Sequence, residues 1–192
     1  MNLIKASLRG AALALFALNF AAGPTLAQQL PVAVIAVVDF SRVVRDSLAG
    51  KSIRSQTDQQ QTGYQTEIQE FQNELEKARQ ELTRQQTIIS PEAFNRNRQA
   101  YEKRARELQT TVQQRKQELD QRFGQGMRVV EAEVVKVLRE FAEERGINLV
   151  LNAARGGVVV FAEGALVITD DVVSRLNERM QAVPLPPPPV KN

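Results

Sequence analysis

From Ser52 to Arg145 apolar residues recur three and four positions apart, interrupted once at Ile88-Ile89-Ser90-Pro91. The first half carries Tyr64, Ile68, Phe71, Leu75, Ala78, Leu82 and Ile89, with Gln85 in the one vacant slot. The second carries Tyr101, Ala105, Leu108, Val112 and Leu119, then Phe123, Met127, Val130, Val134, Val137 and Phe141. Such spacing puts the apolar residues on one stripe of a helix, and a stripe sustained over several heptads is the seam of a coiled coil. The interruption divides the seam into two antiparallel helices, so residues 52–145 form a hairpin arm with its tip at 88–91. Ser90 is placed as N-cap of the second helix, Pro91 as its first residue and Glu92 as negative charge in the first turn. Ile89 and Phe94 have the spacing of a hydrophobic staple, which leaves Ile88 without a local role. At about 1.5 Å per residue, helices of this length project roughly 55 to 80 Å. A hairpin that thin is not a globular domain.

The seam has one irregularity. From Leu119 to Phe123 to Met127 it steps by four and four, a stutter that locally unwinds a supercoil. Gly124 and Gly126 lie in the same turn, and Gly63 is a similar weak point on the first helix, each costing about 1 kcal/mol of helix propensity relative to Ala. These three glycines make the root of the arm a candidate hinge.

Charge is distributed unevenly along the arm. Residues 77–122 hold eleven Lys and Arg against six Asp and Glu, a net of +5. Residues 52–76 have a net of −4, and residues 123–145 a net of −1. A solvated helix face with pairs such as Glu102 with Arg106 and Glu118 with Arg122 accounts for the charge content but not for its separation. The basic far end, with Arg96, Arg98, Lys103, Arg104 and Arg106, and Ile88 at the tip, is therefore the candidate contact surface for clients or for an anionic surface.

On either side of the arm, residues 28–51 and 146–183 compose a small hub. Val32–Val38 is a Val- and Ile-rich run without alternation, as expected of a strand covered on both faces. Gly146 is placed to end the arm. Strands are expected at 147–151 and 158–161, with a turn around Gly156-Gly157 between them. Thr169 is expected to cap a last helix over 170–182, with Asp170 and Asp171 in its first turn and Val172, Val173, Leu176 and Met180 on its apolar face. Residues 184–192 are Pro-rich and are expected to be disordered. The fold class is α+β: a β-rich hub interrupted by a long coiled-coil hairpin. A core of about 60 residues is marginal alone and its strand edges need partners, which points to a homo-oligomer.

Composition narrows the chemistry. The chain has no Cys and no His, so disulfides, thiolate or imidazole metal sites, the commonest general base and the usual nucleophilic triads are all excluded. No paired carboxylates stand out, and neither catalytic residue nor cofactor is expected. Lys5 and Arg9, the apolar run Ala11–Ala22 and Thr25-Leu26-Ala27 have the layout of a secretory signal peptide over residues 1–27. Its removal lowers the formal charge from +3 to +1, which argues against a nucleic-acid partner. Gly50-Lys51-Ser52 resembles the end of a phosphate-binding loop, but Arg45 stands where that motif needs its first Gly, so no nucleotide is expected. Gly50 instead fits a turn before the arm.

The order of these parts resembles the Skp/OmpH family of periplasmic chaperones. The local carriers are Ala36-Val37-Val38-Asp39, Ala49-Gly50-Lys51, Ile147-Asn148-Leu149-Val150-Leu151, Val160-Phe161-Ala162 and Ile168-Thr169-Asp170-Asp171-Val172. Val167 departs from the Asp expected before the Ile-Thr, and Asn152 from the Asp that often follows the second strand. The resemblance implies a jellyfish-like homotrimer, with strands forming a shared hub and three arms enclosing a cavity. It also implies a function: an ATP-independent holdase that keeps unfolded outer-membrane β-barrel proteins from aggregating. Two other readings remain from the residues. One is a structural spacer or subunit of a cell-envelope complex; the other is a binder of anionic membrane lipid or lipopolysaccharide through the basic far end.

Overall fold

The computed structural model describes residues 31–154 and 159–187. The expected signal peptide, residues 155–158 with the expected turn at Gly156-Gly157, and residues 188–192 of the tail lie outside the described residues. The element order is β1 (Ile35–Val38), α1 (Phe40–Asp46), α2 (Leu48–Gln85), α3 (Pro91–Arg145), β2 (Leu149–Asn152), a short 3-10 turn (Gly164–Leu166) and α4 (Thr169–Arg179). No helix among the described residues is long and apolar enough to cross a membrane.

The arm is α2 and α3, of 38 and 55 residues. At the tip the Ser90 side chain accepts the Ala93 N–H, and Pro91 opens α3 where its missing donor costs nothing. At the other end Gly146 takes a left-handed conformation (φ 64°), and its N–H closes the last turn on the Ala142 and Glu143 carbonyls. The longer α3 continues past the start of α2 into the hub. There Val130, Val134, Val137 and Phe141 form the floor of the core with Val43, Val44, Ala49, Ile53, Ile168, Val172 and Leu176. Phe141 lies against two guanidinium groups, Arg145 at 4.4 Å and Arg175 at 5.5 Å from the ring centre.

The corner between α1 and α2 depends on a close backbone approach. Ser47 ends α1 and caps α2, its Oγ accepting the Gly50 N–H at 3.1 Å. Gly50 is thus inside α2 and not in a turn before it. A Cβ there would lie 1.8 Å from the Val44 carbonyl oxygen, so only glycine lets the two helices meet.

β1 and β2 pair in parallel, Ile35 with Leu149 through Val38 with Asn152. Parallel neighbours cannot be joined by a tight turn and need a long crossover. The whole arm is that crossover. Both strands are shorter than the sequence patterns suggested. Just before β1 the Val34 N–H donates to Asn148 Oδ1 at 2.8 Å, while the Val34 carbonyl accepts the Asn148 and Leu149 N–H groups. The expected strand at 158–161 is not formed among its described residues 159–161, where Val160 and Phe161 stand exposed. The free side of β1 is instead met by a single parallel bridge from Val37 to Val167. Ala36, Val38 and Val150 face the hub core, whereas Ile35, Leu149, Leu151 and Val167 are half-exposed apolar residues of the outer face, around a buried Val37.

Two further expectations at the C-terminal end are corrected. Ile168 occupies the cap position of α4, and the buried Thr169 hydroxyl instead accepts the Asp39 N–H at 3.0 Å, tying β1 to α4. The Asp39 side chain in turn caps α1 through the Arg42 N–H. α4 ends at Arg179, short of the expected 182. The tail expected to be unpacked from residue 184 is docked as far as the structure describes it: Val183 is buried in the hub and Leu185 packs against it.

Candidate functional site

Two helices cannot close a seam from all sides, and the arm shows this directly. Tyr64, Ile68, Phe71, Ala78, Leu82, Tyr101, Ala105, Leu108 and Leu119 are all only half-buried, Val112 is exposed, and Leu75 is the one fully buried apolar residue on the distal arm. An open groove between the helices is lined by Tyr64, Ile68, Val112, Arg115 and Leu119. The apolar stripe that holds the arm together is therefore also offered to anything that approaches it.

The seam contains a polar crosslink that apolar spacing does not reveal. The Arg115 guanidinium bonds Glu67 of α2 at 2.8 and 3.1 Å, Glu118 at 3.2 Å, and lies 4.7 Å from the Tyr64 ring centre. Tyr64 donates its phenol proton to Glu118. Arg122, whose side chain is 10 % exposed, completes the series with Glu118 at 3.7 Å and Gln60 at 3.3 Å. A trace of this was available in the sequence: the apolar series jumps from Val112 to Leu119, and Arg115 sits at the skipped step. Farther out, Arg104 bonds Glu74 at 3.1 Å and lies 5.9 Å from the Phe71 ring centre. The acidic stretch 52–76 thus has a structural use, since its pairs with Arg104 and Arg115 of α3 help set the antiparallel alignment.

Burial pushes the Tyr64 phenol above its ordinary value of 10.0, and the hydrogen bond to the Glu118 carboxylate adds to the shift. A folded state that holds its proton more tightly contributes stability that is complete below the unfolded value and lost as pH rises through the folded one. Urea unfolding is thus expected to show a larger loss of stability between about pH 9 and pH 11 for the native chain than for Tyr64→Phe. Equal losses would remove the phenol from the account.

The residues singled out on the arm do not converge on one pocket. Ile88 lies in the tip turn and is 78 % exposed. Arg98 pairs with Glu102 and Lys103 with Glu107, both loosely at 3.8 Å within their own helix. Arg104 is the one that crosses to α2. Arg96 and Arg106 stand in solvent without a carboxylate at ion-pair distance among the described residues. Lys103 and Arg106 border one shallow groove with Thr110 and Gln114, and Arg104 borders another with Leu82 and Tyr101. Of the glycines, a Cβ at Gly63 would meet nothing within 4 Å and at Gly124 only the end of Arg128 at 3.9 Å. Gly126 is different: its Cβ would lie 2.6 Å from Ile53 Cδ1, so it serves close packing of α3 on α2.

The model of the OmpH-like family of outer membrane proteins matches residues 34–176. No protein with a curated description matches the chain. Among solved structures, one from Caulobacter crescentus CB15, described as an OmpH-like outer membrane chaperone, is similar in fold. The TM-score is 0.77 at 19 % identity, and the match covers 84 % of this chain and 94 % of that one. The matched residues include β1, the entire arm, β2 and most of α4, the same parts on which the sequence resemblance rests. The chain belongs to the OmpH-like family of outer membrane proteins.

Proposed function

We propose that this protein is an ATP-independent holdase chaperone of the periplasm, whose arms, in a homotrimer, enclose unfolded outer-membrane β-barrel proteins and prevent their aggregation. The observation that carries this reading is the combination of a projecting arm with a half-open apolar seam and a hub whose outer sheet face is left half-exposed. Ile35, Leu149, Leu151 and Val167 form that face, and Val160 and Phe161 add exposed apolar surface after it. Unpaired strand edges backed by apolar residues favour assembly, here with further copies of the chain. Membership of the OmpH-like family and the chaperone description of the similar structure support the same reading.

The clients would expose alternating apolar strands with unpaired edges, which aggregate readily. Many weak contacts along a semi-exposed stripe suit such a chain better than a closed pocket. The hinge narrows to Gly63 and Gly124, where α2 and α3 have no side chain closely packed on them; Gly126 is held by Ile53. A second reading, contact with anionic lipid or lipopolysaccharide, is favoured by the solvent-facing Arg96 and Arg106 at the basic end.

The test is aggregation of porin diluted from urea. Stoichiometric amounts of the purified protein should suppress light scattering at low salt, and absence of suppression there would sink the holdase reading. Reversing charge at Arg96, Arg98, Lys103 and Arg106 should abolish binding to anionic vesicles while only weakening suppression, because the hold on the client is mainly apolar.

A further inference from the structure

After α4 the chain turns back and lies across the base of the arm. Gln56 of α2 contacts the backbone of this segment with both ends of its amide. Its Nε2 donates to the Val183 carbonyl at 2.7 Å, and its Oε1 accepts the Leu185 N–H at 2.8 Å. A side chain here supplies the donor and acceptor that a neighbouring strand supplies in a ladder. One residue on, Arg122 Nε of α3 donates to the Pro186 carbonyl at 2.6 Å. A guanidinium as buried as this one needs partners around it, and the tail provides one that Gln60 and Glu118 do not.

The composition of the segment fits what holds it. Pro184, Pro186 and Pro187 keep the backbone extended and carry no N–H. Leu185 is the sole backbone donor from 184 to 187, and Gln56 takes it. Leu185 and Val183 supply apolar contact with the hub core. The segment thus bridges α2 and α3, bonded to Gln56 on one helix and to Arg122 on the other.

We propose that the base of the arm carries a binding site for an extended, proline-flanked apolar peptide, formed by Gln56, Gln60 and Arg122, and that the chain's own residues 183–187 occupy it as a strap. By joining the two helices through Gln56 and Arg122, the strap limits opening of the arm at its root. An arm freed of it would be more mobile and would expose a groove able to take an extended segment of another chain.

Amide hydrogen exchange on the full chain tests this against a variant ending at Val183 and against Gln56→Ala. Residues 56–64 and 118–128 should exchange about tenfold faster in both variants, with α4 and β1 unchanged. A synthetic peptide of residues 184–192, supplied at about 5 mM to approach the effective concentration of a tethered segment, should restore protection to the truncated chain. The same peptide should leave the exchange of the full chain as it is. Unaltered exchange at the arm base, acceleration that includes α4, or failure of the peptide to protect would each overturn the proposal. None of these readouts involves a client, so a failed holdase assay would leave them standing.

Discussion

Replacing Gly126 with leucine is expected to destabilise the protein by about 3 kcal/mol, the upper end of the cost of forcing bulk into a packed interior. Even a methyl group at this position would sit 2.6 Å from Ile53 Cδ1 and within 3.4 Å of both Cγ atoms of that fully buried residue. Ile53 has no room to retreat, because Val130 and Val134 back the same core. Ile53→Ala should recover part of the loss in the double variant, a coupling that two independent sites would not show. Gly124→Ala, two positions before Gly126 and meeting only the end of Arg128 at 3.9 Å, is expected to stabilise the helix by about 1 kcal/mol instead. Urea unfolding at fixed protein concentration reads the native protein, Gly126→Leu, Ile53→Ala, their double variant and Gly124→Ala. Equal costs at the two glycines would mean that α3 does not approach α2 closely at its root.

Converting Leu149 and Leu151 together to Glu is expected to dissociate the proposed homotrimer into monomers, weakening association by at least about 100-fold. Burial of one leucine contributes about 1.5–3 kcal/mol, and a carboxylate forced into the same interface adds a desolvation penalty. Both residues lie on the outer face of the two-stranded sheet, 44 % and 36 % exposed in the single chain, so the change removes no contact within the hub core. Sedimentation velocity at micromolar concentration gives the answer, with circular dichroism confirming that the helices persist. A variant whose sedimentation matches that of an oligomeric native protein would show that the chains meet elsewhere, with Val160 and Phe161 the next surface to alter. A monomeric variant that also fails to suppress porin aggregation would join assembly to function.

The arm was legible because its rules are local. Heptad spacing depends on neighbours three and four residues away, and the Ser90-Pro91 start and Gly146 end are set by capping within one turn. The family resemblance was legible for the same reason, as short motifs kept in order around the hairpin. The crosslink of Tyr64, Glu67, Arg115 and Glu118 was not, because a charged residue at a seam position is indistinguishable from a solvated one until the facing helix is in place. The basic excess of α3 was visible, but its division into residues that pair with α2, such as Arg104 and Arg115, and residues that face solvent, such as Arg96, needed the register between the helices. Gly126 illustrates the same limit from the other side: glycine in a helix signals weakness by propensity, whereas here it signals contact.

By itself, then, the sequence determined that this protein has a long two-helix arm, where that arm turns and ends, and that the remaining core is small. These follow from periodicity and from backbone preferences that act over a few residues. Only the tertiary structure decided that β1 and β2 pair in parallel with the arm as their crossover, that residues 159–161 form no strand among those described, and that the Pro-rich segment through Pro186 is docked. The strand pairing joins Val38 with Asn152 and the docked segment joins Gln56 with Leu185, each more than a hundred positions apart. Which distant groups meet is settled by how all the apolar surfaces can be buried at once, and no local pattern encodes that solution.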